Sequence, residues 1–167
     1  MNSLLSSASS WIIIFALSFT GSCSFAKDLT HRFGLGLKNN TSENLPSVAA
    51  SYFPTSDLAF TAGIGTDTKK DNSKFQMHLG IRKIIFQETN LNFYSGGQLG
   101  LVNYEDPVLG RQSGAELMAV FGVEFFFQGL ENVGFTFEAG MAVASLQEVR
   151  FRTVADGPAR AGILFYF

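Results

Sequence analysis

Two glutamates near the end of this sequence are the residues whose spacing most resembles a catalytic pair. Glu124 and Glu138 flank a predicted tight turn, GLENVG, and a register that places Phe125 opposite Phe137 also places the two carboxylates opposite each other. Paired carboxylates can split their pKa values and act as general acid and base. In a narrow, poorly hydrated space, one carboxyl would instead take up a proton unless cations lie nearby. No substrate cleft can be identified around the pair, so we favour the second situation.

The required cations are present on the same predicted face of the chain. Arg82 and Arg160 share the parity of Glu124 and Glu138, and the charges balance at two against two. We therefore predict an ionic network of these four residues that holds an enclosed interior shut. Three further polar residues share this face: His78, Gln98 and Glu116. We assign no catalytic, cofactor-binding or metal-binding role to any of them.

The elements that must position these residues show a period of two along the whole chain after residue 26. Alternation of apolar and small or polar residues is typical of strands with two different faces. It recurs in eight pieces: 32–37, 47–52, 58–65, 75–82, 91–101, 116–127, 135–143 and 159–167. The pattern blurs at KIIF (83–86), which predicts a bulge or a strand end. The segment QEVRFRTVADG is expected to be a loop or an extension of the seventh strand.

The first 26 residues differ from the rest and predict a cleavable signal peptide. The apolar run from Trp11 to Phe19 is too short to span a bilayer, and the segment from Ser24 to Ala26 fits a small-x-small cleavage motif. We place cleavage after Ala26, so that residues 27–167 form one domain. Lipidation of Cys23 is the alternative. With cleavage after Ala26 the exported chain has no cysteine, which excludes disulfides and thiolate chemistry.

The less apolar face of the eight strands decides which kind of barrel they form. It is rich in glycine and carries few charges, so it would make a poor water-facing surface but fits the narrow interior of an eight-stranded barrel. The other face carries phenylalanine repeatedly. The whole chain has 18 Phe and only 16% charged residues. We therefore predict an all-β fold, an eight-stranded antiparallel up-and-down transmembrane barrel, with short periplasmic turns and longer outer loops. A soluble, lipocalin-like barrel with the opposite facing is the alternative.

These features together resemble the small eight-stranded outer-membrane barrels of the OmpA-barrel and OmpX type. The signal peptide, the eight alternating segments and the terminal GILFYF carry the resemblance. It implies export through the periplasm to the bacterial outer membrane, and contact with outer-membrane lipid and lipopolysaccharide. It also implies that the assembly machinery recognises the last strand through Ile163, Phe165 and Phe167. Barrels of this type have a similar ionic plug, which supports the network in the periplasmic half of the lumen.

The activity is less constrained than the architecture, because small barrels have many functions. We expect a structural or surface-interaction role, no cofactor, no metal and a monomeric state. The net charge of −2 gives no basic face for nucleic acid. A narrow, porin-like passive pore is one alternative. An enzyme that modifies outer-membrane lipid, such as a lipid A deacylase, is another, but it would need a histidine and a serine together on the lipid-facing surface. The only histidines, His31 and His78, do not have that placement.

Overall fold

The computed structural model describes residues 27–39, 45–70, 72–106, 110–145, 149–153 and 159–167, and none of these residues is helical. The described residues form nine strands: β1 (Phe33–Asn39), β2 (Pro46–Tyr52), β3 (Leu58–Asp67), β4 (Lys74–Glu88), β5 (Leu91–Asp106), β6 (Gly110–Phe126), β7 (Val133–Ser145), β8 (Val149–Thr153) and β9 (Arg160–Tyr166). Within these ranges there is no helix long and apolar enough to cross a membrane. The predicted signal peptide, the cleavage site after Ala26 and Cys23 lie outside the described residues.

The strands form a single closed barrel. Each strand from β1 to β7 pairs antiparallel with the next one, and β9 pairs with both β7 and β1. The backbone N–H groups of Phe33 and Phe167 each donate to the carbonyl of the other residue, which completes the closure. The predicted closed, eight-stranded antiparallel barrel is confirmed, with β8 and β9 together in the place of the eighth strand. We call the end where β1 begins and β9 ends the terminal end, and the opposite end the loop end.

The eighth wall position is divided between β8 and β9. Strand β8 pairs with residues 141–145 of β7, and β9 pairs with residues 133–138 of the same strand. Ala139 and Gly140 of β7 lie between these two ladders. The segment 149–153 was expected to be a loop or part of the seventh strand, and both expectations are wrong. It forms the part of the eighth strand position that lies at the loop end. It is a strand separate from β9, because its register on β7 differs from that of β9 by four residues.

The registers also give the tilt of the strands. Paired residues can be followed around the barrel from Leu35 of β1. In the direction of β2 to β6 they lead to Val143 of β7, and in the other direction, through β9, they lead to Val133 of β7. One circuit of the barrel thus shifts the register by ten residues (133 to 143). At about 3.3 Å per residue and about 4.8 Å between strands, this shift corresponds to a tilt of about 40° from the barrel axis.

The two faces of the wall have the predicted orientation. On β4, Gln76, His78 and Arg82 are buried inside the barrel, whereas Leu79 and Ile81 are exposed on its outer surface. The same alternation holds along β5, β6 and β7. The expected irregularity at residues 83–86 is a β-bulge, with a register shift between Ile84 and Phe86. The barrel therefore has a polar interior and an apolar exterior.

The connections differ from expectation at the loop end. Strands β5 and β6 extend to Asp106 and Gly110, so only three residues separate them where a ten-residue loop was expected. Gly110 has a φ of 72°, a backbone angle that residues other than glycine rarely adopt. At the terminal end the connections are short, as predicted: 53–57, 89–90 and 127–132. The greater length of the chain at the loop end than at the terminal end therefore comes partly from the longer strands β4 to β7.

The segment before β1 folds under the terminal end of the barrel. Leu29 is buried in a cluster with Phe53, Ile84, Phe126 and Tyr166. His31 donates its backbone N–H to the carbonyl of Phe53. This apolar cluster closes the base of the interior beneath the polar residues, and the sequence pattern did not predict it.

Candidate functional site

The seven polar residues predicted to face the interior are all buried inside the barrel. Each has a relative exposure of 3% or less, and each comes from a position where strand alternation directs the side chain inward. They come from β4, β5, β6 and β7 and from the first residue of β9: Arg82, His78, Gln98, Glu116, Glu124, Glu138 and Arg160.

Glu138 of β7 accepts hydrogen bonds from three side chains of this interior. Its Oε2 accepts a hydrogen bond from Arg160 Nη2 at 2.9 Å, and its Oε1 accepts one from the Tyr94 hydroxyl at 2.7 Å. Lys38 Nζ also donates to Oε1 and forms a second ion pair. Charge-assisted hydrogen bonds to a fully buried carboxylate are strong, because the alternative is an unpaired charge in a low dielectric. The Glu138 carboxylate therefore partly neutralises two cations, Lys38 of β1 and Arg160 of β9.

Lys38 is a member of this cluster that sequence reasoning missed. It lies on β1 two residues beyond Gly36 and is buried. Its parity places it on the same face as Gly34 and Gly36, so the alternation of the first strand was the signal that could have found it. With Lys38 included, the described interior contains three cations and three carboxylates: Lys38, Arg82, Arg160, Glu116, Glu124 and Glu138.

Glu124 and Arg82 lie closer to the terminal end and do not bond to each other directly. Glu124 Oε1 accepts a hydrogen bond of 2.5 Å from the Tyr166 hydroxyl. Arg82 Nη2 donates to Ser51 Oγ at 2.8 Å, and its guanidinium lies 4.7 Å from the centroid of the Tyr94 ring. Because Tyr94 also donates to Glu138, this tyrosine connects the Arg82 level with the Glu138 level.

The expected register between β6 and β7 is wrong by two residues. Phe125 pairs with Phe135, and Glu124 pairs with Thr136, whereas Glu138 pairs with Gly122. The cause is the connection, where two successive turns bring Leu130 N–H to the Phe127 carbonyl and Val133 N–H to the Leu130 carbonyl. The two glutamates are therefore not directly opposite each other, and each has its own partners.

The remaining predicted residues extend the polar interior towards the loop end. Gln98 Oε1 lies 3.4 Å from Arg160 Nη2, while Met118 Sδ lies 3.8 Å from Arg160 Nη1. Glu116 is buried on β6 opposite Gly100. His78 lines a cavity of about 10 Å³ together with Lys38 and Arg82. That volume accommodates about one water molecule, so the interior at this level is filled by side chains.

The outer surface carries the aromatic residues expected at the terminal end. Phe127 contacts Phe125 and Phe135 with ring centroids at 4.8 and 5.2 Å, and the rings of Phe33 and Phe167 lie 6.5 Å apart across the closure. The residues proposed as an assembly signal, Ile163, Phe165 and Phe167, follow one another on the outer face of β9 and at its end. Among the described residues, no three His, Cys, Asp or Glu side chains are grouped so that they could hold a metal ion.

Comparison with known proteins supports the architecture. No protein-family model matches the sequence, and no curated protein matches it. Among solved structures, the chain is similar to the N-terminal β-barrel domain of Pseudomonas aeruginosa OprF, with a TM-score of 0.54 and 20% sequence identity. The match covers 81% of this chain and 96% of that one. At this identity the similarity concerns the fold, and the fold of the chain is a closed eight-stranded barrel of the OmpA-like type.

Proposed function

We propose that the chain is an integral outer-membrane β-barrel protein with a structural or surface-interaction role. The observation that carries this proposal is the inverted facing, with paired charges inside the wall and phenylalanine and leucine outside it. A water-soluble barrel needs the opposite arrangement, so the lipocalin-like alternative conflicts with the observed faces. The fold shared with the OprF barrel domain supports the outer membrane as the location.

The height of the apolar surface fits a bilayer. On β6 the outward-facing residues are apolar from Ala115 to Phe125, and Ser113 and Arg111 follow towards the loop end. Ten residues at about 3.3 Å, tilted by about 40°, rise by about 25 Å, which is the height of the lipid-facing band of such barrels. Outer-membrane fractions should therefore contain the protein, with heat-modifiable mobility on unboiled gels. Recovery as a soluble periplasmic protein would refute the proposal.

We further propose that the buried charged residues Arg82, Glu124, Glu138 and Arg160 close the lumen. Supporting this, the four predicted residues are buried, and the cavity beside them has a volume of only about 10 Å³. In planar bilayers the wild-type protein should conduct negligibly, whereas Arg82→Ala or Arg160→Ala should introduce measurable conductance. Lys83→Ala is the control, because Lys83 is a cation on the outer surface. Sizeable steady conductance in the wild type would instead favour the porin-like alternative.

The proposed role is not enzymatic. Of the two histidines, His31 lies at the terminal end and His78 inside the barrel, and neither is on the lipid-facing surface where a deacylase would need it. Mass spectrometry of lipid A with and without the gene tests this directly. A change in acylation that depends on the gene would establish the enzyme alternative.

Export and assembly follow the same proposal. A signal peptide cleaved after Ala26, insertion by the outer-membrane assembly machinery, contact with lipopolysaccharide and a monomeric state are all expected. The mass of the mature protein tests the cleavage site, and palmitate labelling tests lipidation of Cys23. Light scattering in detergent tests the oligomeric state.

A further inference from the structure

We infer that the outer surface of β3–β6 binds one phospholipid whose head group carries a phosphate and a primary ammonium. One acyl chain would lie in a groove over Gly97, and the head group would contact Lys83 and Asp57. The inference rests on the proposed function, since it requires this surface to lie in a bilayer. It is carried by the shape of the groove and by the charges at one end of it.

The groove has a volume of about 600 Å³ and lies between long apolar side chains. This volume falls within the roughly 300–1,000 Å³ of typical ligand sites. Phe60, Leu79, Ile81, Leu99 and Leu117 form its walls, and all five are exposed on the outer surface. Residues of this kind offer dispersion contacts to a hydrocarbon chain and no hydrogen bonds.

The floor of the groove is the backbone of β5 at Gly97. A Cβ atom at this position would have no atom closer than the Met118 carbonyl oxygen at 3.9 Å, so the space above it is open. The preceding outward-facing residue of β5 is also small, Ser95, whereas the following one is Leu99. Gly97 pairs with Ala119 of β6, which lies near the middle of the apolar span from Ala115 to Phe125. The groove is therefore at acyl-chain depth.

The terminal-end side of the groove leads to a pair of opposite charges. Ser95 lies two residues from Gly97 and pairs with Lys83 of β4, two residues beyond Ile81. Lys83 Nζ donates to Asp57 Oδ2 at 2.9 Å, and the two side chains are 65% and 50% exposed. A lysine ammonium has three N–H donors and Asp57 takes one, while the carboxylate retains lone pairs for a further donor. A phosphate beside Lys83 and an ammonium beside Asp57 would match this pair.

The order of these features favours a lipid over a second copy of the chain. Along about two residues of β5, or roughly 7 Å, the surface changes from exposed charges through Ser95 to the bare backbone at Gly97. A phospholipid has the same order of charged head group, polar linkage and hydrocarbon. A second copy of the chain in the same orientation would have the same Lys83–Asp57 pair at this depth. A two-fold contact through this surface would bring two identical pairs together instead of supplying the phosphate and ammonium that complement one pair.

The test uses tryptophan quenching by brominated lipids. The sequence has a single Trp, Trp11, inside the predicted signal peptide, so an introduced Trp would be the sole reporter in the mature protein. Phe121→Trp places it beside Ser95, and Leu37→Trp places it on β1, on the other side of the barrel. Each variant is reconstituted in phosphatidylcholine with increasing brominated phosphatidylethanolamine or brominated phosphatidylglycerol.

At Phe121→Trp we expect phosphatidylethanolamine to be bound at least about threefold more strongly than phosphatidylcholine or phosphatidylglycerol, with no preference at Leu37→Trp. Adding Gly97→Leu, which fills the groove, or Lys83→Gln, which removes the cation, should abolish the preference. Ala139→Leu on the outer face of β7 is the matched control and should retain it. Equal quenching at both reporters, or a preference for phosphatidylglycerol, would overturn the inference. Absence of quenching by any lipid at Leu37→Trp would instead refute membrane insertion and the proposed function.

Discussion

Replacing Glu138 by Gln gives the sharpest test of the interior. Glu138 accepts hydrogen bonds from Lys38, Arg160 and Tyr94, and neither its side chain nor that of Arg160 is exposed. The variant would leave three cations against two carboxylates in the described interior. Removing one partner of a buried ion pair typically costs about 3–5 kcal/mol, because the other charge stays buried without compensation. We expect a loss of stability of this size.

The assay is a urea titration of the folded barrel in detergent micelles, followed by circular dichroism and by gel mobility. A second variant, Lys38→Met with Glu138→Gln, restores equal numbers of cations and carboxylates and should recover about 2 kcal/mol of the loss. Glu131→Gln serves as the control, since its side chain is 67% exposed and its ion pair with Lys27 is 3.5 Å long. That control should change stability by less than about 0.5 kcal/mol. A loss below 1 kcal/mol for Glu138→Gln would refute the argument that this carboxylate compensates buried cations.

Three further predictions concern other parts of the barrel. Tyr166→Phe removes the hydroxyl that donates to the buried Glu124, and should cost about 1.5–3 kcal/mol in the same titration; an unchanged midpoint would contradict this. Gly36→Ala should cost about 1–3 kcal/mol, because the new Cβ would lie 1.8 Å from the Ile163 carbonyl oxygen, whereas Gly97→Ala should be neutral. Hydrogen bonds from Lys83 and Thr55 lower the pKa of Asp57, in the turn before β3, below its usual range. Its stabilising contribution should therefore be present above pH 4 and be lost as the pH falls through the lowered pKa. Carboxyl NMR should show this pKa rising in Lys83→Gln, and an unchanged value would exclude Lys83 as the cause.

Strand alternation was sufficient to predict which residues face the interior. Because the side-chain period of a strand is two, one correctly placed residue fixes the facing of its neighbours. Arg82, Glu138 and Arg160 were found in this way, and Lys38 could have been. Their pairing could not be predicted as well, since it depends on the ladders between strands.

The ladders depend on turn geometry, which the alternation does not contain. The two successive turns at residues 127–133 shift the β6–β7 register by two residues, which preserves every facing while changing every partner. The division of the eighth position into β8 and β9 likewise appears only when both registers on β7 are known. Leu29 was missed for a different reason, because it lies in a short irregular segment where no period exists.

The placement of the ion pairs on β1, β7 and β9 has a consequence for the speed of folding. The ladder between β1 and β9 joins residues more than 120 positions apart in the chain, such as Leu35 and Phe165. Contacts of such long sequence separation form late, since the chain between them must first lose conformational freedom. Lys38 reaches Glu138 only when this last ladder has formed. Before this ladder forms, Lys38 and Glu138 are hydrated separately. The free-energy cost of removing their water therefore arises in the step that closes the barrel. Substitutions of Lys38 should therefore change the unfolding rate more than the rate at which the earlier hairpins form.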